Sequence, residues 1–322
     1  MKNIAVVGCG MLGSRHLQSL VDLSGSCKLF ALDSYEPSLQ RCRSILEDSP
    51  KHGVPVSYIH RVEDLPRQLD LVVVATNADI RAGVVRSLLD HAHVEFLILE
   101  KILFQSVHEY YDIGARIEKA GAKCFVNCPR RMYPFYQELF KNFASDPLQK
   151  VSVKGKGWGL ACNGIHFIDL MAYLGRTSLK KIHGDQLHAG FIESKRTGFL
   201  EVNGSLGIEY ESGMQLTIAC EDSLQADLEI DIQATHSHWS IVESQGLCKV
   251  KRQGQEQEEL VRFQTLYQSQ LSKKFAEDLL TRDTCELTSY AESTSLHLSF
   301  IEALMQHFTQ FSTEALDRCP IT

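Results

Sequence analysis

The chain has 322 residues, too many for one compact core and few for three, so two domains are expected. Hydrophobic residues make up 44% and charged residues 23%, the balance of an ordinary globular protein, which excludes collagen-like and low-complexity chains. A net charge of -7, from 33 Lys+Arg against 40 Asp+Glu, excludes a nucleic-acid or anionic-membrane surface, since both need concentrated positive charge. The ten cysteines are scattered with no CxxC spacing, as suits thiols in a reducing compartment. The opening apolar run, Ile4 to Val7, is too short for a secretory core, and no stretch approaches the roughly 20 apolar residues that span a bilayer. A cytoplasmic protein is expected.

Up to about residue 125, short β-rich runs alternate with helical patterns. The runs are Ile4 to Val7, Lys28 to Leu32, Val56 to Ile59, Leu71 to Ala75, Phe96 to Leu99 and Lys123 to Val126, and strands separated by helices form a parallel sheet. The runs at 4, 71 and 96 are apolar throughout, as strands covered on both faces must be. After residue 150 the pattern becomes antiparallel. Phe199 to Val202, Leu206 to Tyr210 and Gln215 to Ala219 are separated by Asn203-Gly204 and Ser212-Gly213, which predicts three strands joined by tight turns. Ala226 to Ala234, Ser240 to Val242 and Cys248 to Val250 extend that sheet, while Gly164 to Tyr173, Gln270 to Leu280 and Tyr290 to Phe308 read as helices. The expected fold is α/β: an N-terminal Rossmann dinucleotide-binding domain over 1–125 and, over 126–322, an α+β domain with a large, mostly antiparallel open sheet.

Gly8-Cys9-Gly10-Met11-Leu12-Gly13 follows the first strand and opens a helix expected to end near Leu23. In such a loop Gly8 permits the tight turn, Gly10 lets the backbone approach a pyrophosphate, and Gly13 lets helix and strand pack closely. Met11 and Leu12 begin the helix whose free N–H groups face the anion. Asp33 ends the second strand 20 residues past Gly13, where a carboxylate accepts from a ribose 2'-hydroxyl and repels a 2'-phosphate, so NAD is expected over NADP. Leu99-Glu100-Lys101 ends the fifth parallel strand, on the edge where such sheets bind ligands. Asn163 to Leu170 opens a later helix with His166 and Asp169 one turn apart, after the glycine-rich Lys156-Gly157-Trp158-Gly159. No spacing among the His and Cys residues composes a metal site.

In that order these segments resemble the glucose-fructose oxidoreductase, inositol dehydrogenase and MocA family of nicotinamide-dependent oxidoreductases. The family pattern runs GxGxxGxxH, ATPN, EKP, Arg-Arg-aromatic-x-Pro and DxGxHxxDL. The chain offers Gly8 to Gly13 with His16, Ala75-Thr76-Asn77-Ala78, Glu100-Lys101-Ile102, Arg130-Arg131-Met132-Tyr133-Pro134 and Cys162-Asn163-Gly164-Ile165-His166-Phe167-Ile168-Asp169-Leu170. Two departures stand out: Ile102 replaces the proline, and Cys162 replaces the aspartate four residues before His166. A thiol with an ordinary pKa near ~8.5 is mostly neutral and does not replace a carboxylate's charge.

The resemblance implies a hydride transfer between nicotinamide and a hydroxyl or keto carbon, with Lys101 as the main proton-handling group and His166 on the same oxygen. Thr76, Asn77, Glu100 and Lys101 join the glycine loop and Asp33 as cofactor-binding residues, and Arg131, Tyr133, Trp158, Cys162, Asn163 and His166 line the substrate. Polar and aromatic groups in this mixture suit a sugar or cyclitol. Arg130 and Arg131 either recognise an acidic or nucleotide-linked sugar or form salt bridges within the fold. A catalytically silent nicotinamide-binding sensor and an NAD-retaining hydrolase or epimerase are the alternatives. The resemblance also implies a homodimer or homotetramer, with Leu216, Ile218, Leu228, Ile230 and Ile232 supplying alternating apolar positions for a second copy.

Overall fold

The computed structural model describes residues 1–47, 54–223, 227–313 and 315–322. The chain divides into two compact units. The first comprises Met1–Pro129 together with Leu266–Glu292, the second Arg130–Thr265 together with Ser293–Thr322.

In the first unit the elements run β1 (Lys2–Val7), α1 (Met11–Leu20), β2 (Cys27–Leu32), α2 (Glu36–Glu47), β3 (Val56–Ile59), β4 (Gln68–Val74), α3 (Ala78–His91), β5 (His93–Glu100), α4 (Val107–Ala120) and β6 (Lys123–Asn127). Strands β3, β2, β1, β4, β5 and β6 lie side by side in that order, all parallel. This is the Rossmann arrangement that the alternating pattern predicts. Ile4, Val6, Leu71 to Val74 and Leu97 to Leu99 are fully buried, because helices on both faces leave a central parallel strand no wet side.

The second unit contains α5 (Pro134–Asn142), β7 (Leu148–Gly155), α6 (Leu160–Leu174), β8 (Leu179–Leu187), β9 (Ile192–Glu193), β10 (Leu200–Glu201), β11 (Gly204–Tyr210), β12 (Gln215–Cys220), β13 (Glu229–Ala234), β14 (Ser237–Val242), β15 (Leu247–Arg252) and β16 (Glu259–Arg262). Eight of these strands form one sheet in the order β16-β15-β14-β13-β7-β12-β11-β8. Its pairings are antiparallel except β7 with β12. After β16 the chain returns to the first unit with α7 (Gln268–Arg282) and β17 (Thr288–Ser289), which pairs antiparallel with β6. Helix α8 (Tyr290–Phe311) follows.

Four sequence expectations change. The second unit is not the continuous block 126–322, because α7 packs on α1 and β4 of the first. Its buried residues Leu271, Phe275 and Leu279 recur every four positions and make one apolar stripe. Asn203-Gly204 is not a hairpin turn. β10 pairs with β9 in a separate two-stranded ribbon, and Gly204, at φ +104°, starts β11 with backbone of Gln186 to His188 too close for a side chain. Ala226, the expected start of β13, lies outside the described residues, and the strand begins at Glu229.

The fourth change concerns the apolar positions offered to a second copy. Leu216, Ile218, Ile230 and Ile232 are buried within the chain itself, since α6 packs on β12 and Ile218 and Phe300 both close on Gly164 of α6. The opposite face of the sheet carries a polar row in register, Thr217, Ser152, Asp231 and Ser240. No helix among the described residues is long and apolar enough to cross a membrane.

Because Phe275 is fully buried on α7, Phe275→Ala is expected to destabilise the first unit by about 3–5 kcal/mol. Chemical denaturation followed by circular dichroism checks this.

Candidate functional site

In the first unit the glycine loop is set by three different demands. Gly8 has φ +89°, and a Cβ there would stand 2.8 Å from the Thr76 nitrogen. At Gly13 a Cβ would sit 1.8 Å from the Gly8 carbonyl oxygen, so no side chain is possible. Gly10 has nothing within 4 Å of its Cβ position, leaving open space just ahead of the α1 N-terminus, which no side chain caps. Free N–H groups beside such space make an anion site.

Beside the loop is a cavity of about 360 Å³, walled by Gly8, Gly10, Asp33, Thr76, Asn77 and Ile80. Asp33 holds the loop as well as facing the cavity. Its Oδ2 accepts from the Cys9 N–H at 2.7 Å and its Oδ1 from the Tyr35 N–H at 2.9 Å. Each carboxylate oxygen has a second lone pair, so both can still accept from a ribose diol. Met11, Tyr35 and Ile80 are exposed apolar residues of the loop and of the cavity's neighbourhood. These groups fit a dinucleotide: open backbone for the pyrophosphate, a carboxylate for the ribose and apolar surface for a base.

Glu100 is placed otherwise than expected. Its carboxylate is buried behind the strand end, with Oε1 2.8 Å from His16 Nε2 and 2.5 Å from Asn127 Nδ2, which donates to it. His16 Nδ1 lies 2.8 Å from Ser272 Oγ on α7, and Asn127 Nδ2 also donates to Gln268 Oε1 at 2.8 Å. Burial alone would raise the Glu100 pKa, but the hydrogen bond and charge of His16 and the hydrogen bond from Asn127 hold it below the ordinary carboxylate value. Glu100 therefore anchors the strand end just before half-buried Lys101. The Lys101–Ile102 peptide bond is cis. Arg81, buried on α3, donates to the carbonyls of Thr76, Ile102 and Leu103, tying the segment after Lys101 to the turn that holds Thr76.

In the second unit α6 carries Cys162, Asn163 and His166 on its first two turns. Asn163 Nδ2 donates to the Trp158 carbonyl at 2.8 Å, and Trp158 Nε1 donates to the Ala219 carbonyl at 2.8 Å. The half-buried Trp158 meets Phe167 edge-on. Burial, then the charge and hydrogen bond of Glu201, push the Cys162 thiol up to about 11, so it is neutral near pH 7. Burial likewise raises the Tyr133 hydroxyl above its ordinary value.

The arginines take the internal alternative. Arg131 donates through Nε and Nη2 to the two carboxylate oxygens of Asp169, both at 2.8 Å, with the pair buried. Arg130 pairs in the same two-pronged way with Glu243, at 2.9 and 2.7 Å, and Tyr136 adds a hydrogen bond to Glu243 at 2.7 Å. Arg131 is thus placed away from the expected substrate role because its fork is filled by Asp169, the last acid of the His166 motif. Sequence reasoning missed Arg81, Asn127, Gln268 and Glu201, none of which lies in a spacing that marks it.

A unit with this strand order, glycine loop and strand-end carboxylate is a dinucleotide-binding Rossmann domain. Residues 2–128 match the family model described as oxidoreductase family, NAD-binding Rossmann fold, whose designation is GFO_IDH_MocA. No curated protein matches the sequence. Among solved structures, the fold is similar to a UDP-N-acetylglucosamine 3-dehydrogenase from Acidithiobacillus ferrooxidans, with TM-score 0.75, 10% identity and coverage of 97% of this chain and 99% of that one. It is also similar to an oxidoreductase from Agrobacterium radiobacter in complex with NAD+, L-tartaric acid and magnesium, at TM-score 0.72, 15% identity and 96% of both chains. A super-repressor mutant of Gal80p from Saccharomyces cerevisiae matches at TM-score 0.74, 14% identity, 97% of this chain and 96% of that one. At these identities the likeness is one of fold.

Two outcomes are expected. Arg131→Ala strands the buried Asp169 carboxylate and is expected to cost about 3–5 kcal/mol, with much of it regained in Arg131→Met/Asp169→Leu; denaturant midpoints and slopes test both. Because the Glu100 pKa is depressed on folding, its contribution to stability is complete above the unfolded carboxylate value of roughly 4.3 and is lost as pH falls through the lower folded value. Glu100→Gln is therefore expected to flatten the acid limb of the stability curve, measured by denaturation at several pH values.

Proposed function

We propose that the protein is an NAD-linked oxidoreductase that moves a hydride between nicotinamide and a hydroxyl or keto carbon of a sugar or cyclitol. The observation that carries this reading is the cavity beside Gly8 and Gly10 with Asp33 on its wall. When bound, the nicotinamide supplies the hydride chemistry. The chain's own residues bind and orient it: the α1 N-terminus faces the pyrophosphate, and Asp33 takes the ribose diol and disfavours a 2'-phosphate. Thr76 and Asn77 border the same cavity. Lys101 is the proposed proton acceptor of the substrate hydroxyl.

The neutral character of the substrate is supported by the arginines. With Arg130 and Arg131 each paired to a carboxylate, neither supplies a free fork for an acidic sugar. Asn163, Tyr133 and Trp158 remain, and they suit hydroxyl groups and an apolar ring face. A second reading, a nicotinamide-binding regulator without turnover, is favoured by Cys162 in place of the expected aspartate and by the fold likeness to a Gal80p repressor variant.

Mass spectrometry of the ligand released from the denatured protein, followed by turnover assays with polyols and keto sugars, tests the reading. Asp33→Ala is expected to weaken NAD(H) and to improve NADP(H) binding, read by fluorescence titration; tighter NADPH than NADH binding by the native chain contradicts the cofactor assignment. Lys101→Ala is expected to lower turnover roughly 100-fold to 10,000-fold with nicotinamide affinity nearly unchanged. Full activity in that variant overturns its role, and no turnover by the native chain favours the regulator.

A further inference from the structure

We propose that Glu201, on the short strand β10, is the positioning residue of the turn that carries Cys162, Asn163 and His166, and that its buried carboxylate provides the negative charge of that turn. The first turn of a helix leaves backbone N–H donors without partners inside the helix. At α6 the capping position is Gly159, at φ +78°, which has no side chain to offer them. Glu201 reaches in instead. Its Oε2 accepts from the Ala161 N–H at 2.8 Å and its Oε1 from the Cys162 N–H at 3.0 Å. A carboxylate this deeply buried is stable only where donors and a positive potential offset its lost hydration, and the helix N-terminus supplies both.

Several contacts hold Glu201 in place. Leu200 and Glu201 pair with Glu193 and Ile192 of β9, and the Leu200 N–H donates to the Pro320 carbonyl at 2.7 Å. Ser194, next to β9, places its Oγ 3.7 Å from Cys162 Sγ. Gly159 is the opening that admits the carboxylate, because a Cβ there would stand 2.8 Å from Glu201 Oε1 and 3.1 Å from Asn163 Nδ2. Glu201, Asn163 and the Trp158 carbonyl thus brace one another around the start of α6. The resemblance expects a carboxylate at position 162, and this turn has one, carried by a residue 39 positions along the chain.

The test is a charge swap in the full chain. Glu201→Gln is expected to lower the thermal midpoint by roughly 5 °C or more, because a charge-assisted cap is lost. At pH 7 to 8, with native Glu201, Cys162→Asp is expected to lower the midpoint well below Cys162→Asn, since it sets a second carboxylate beside the first. In the Glu201→Gln background the order should reverse. Equal midpoints for the Asp and Asn variants in both backgrounds overturn the proposal. Should Glu201→Gln fail to fold, the Asp and Asn pair with native Glu201 decides alone, and equality there overturns it.

The kinetic arm rests on the oxidoreductase reading. With a substrate in hand, Glu201→Gln is expected to lower kcat at least 10-fold at unchanged KM for NADH, and Glu201→Gln/Cys162→Asp to recover most of it. An unchanged kcat in Glu201→Gln overturns the positioning role. If the native chain turns over no substrate, that reading fails while the thermal comparison still decides on Glu201.

Discussion

A buried carboxylate must be answered by donors, and in the first unit the answer to Glu100 organises everything around it. Its hydrogen bonds come from α1 through His16 and from β6 through Asn127, and the same two side chains are held in turn by Ser272 and Gln268 of α7. Removing any one partner leaves polar groups buried and unmatched, which costs more than the bond is worth in isolation. One network thereby fixes the glycine helix against the strand end, and Lys101 is the next residue along. The dinucleotide loop and the proposed proton acceptor are built on the same support.

The second unit handles its charges by internal matching. Arg131 pairs with Asp169, and Arg130 pairs with Glu243, which also accepts from Tyr136; Arg130 lies over the Phe167 ring while Arg131 faces Tyr173. Guanidinium groups used in this way tie α5, α6 and the sheet together.

The first unit was largely legible in the sequence because its signals are local. Four apolar residues before Gly8, the glycine spacing and Asp33 at the next strand end all lie within about thirty residues, and each has one physical reading. The strand β8 was not legible: Leu179 to Leu187 is mostly polar and half exposed, with no apolar alternation to mark it. Arg131 was ambiguous in sequence because a fork for a substrate and a fork for Asp169 look the same until the partner is placed. Glu201 and Gln268 were invisible for a related reason. Their partners are distant in the chain, and no spacing encodes a contact across 39 or 141 residues.

The division of the first unit into two segments has a consequence for how the protein is made. Ser19 accepts from the Lys273 backbone across 254 residues, and α7 covers α1 and β4. On the ribosome, then, the parallel sheet emerges with part of its apolar surface bare and His16 lacking Ser272. At about 5–20 residues per second, the 163 residues from Pro129 to Glu292 take roughly ten to thirty seconds to follow. During that interval the surface of α1 and β4 that α7 covers in the folded chain has no α7 to bury it.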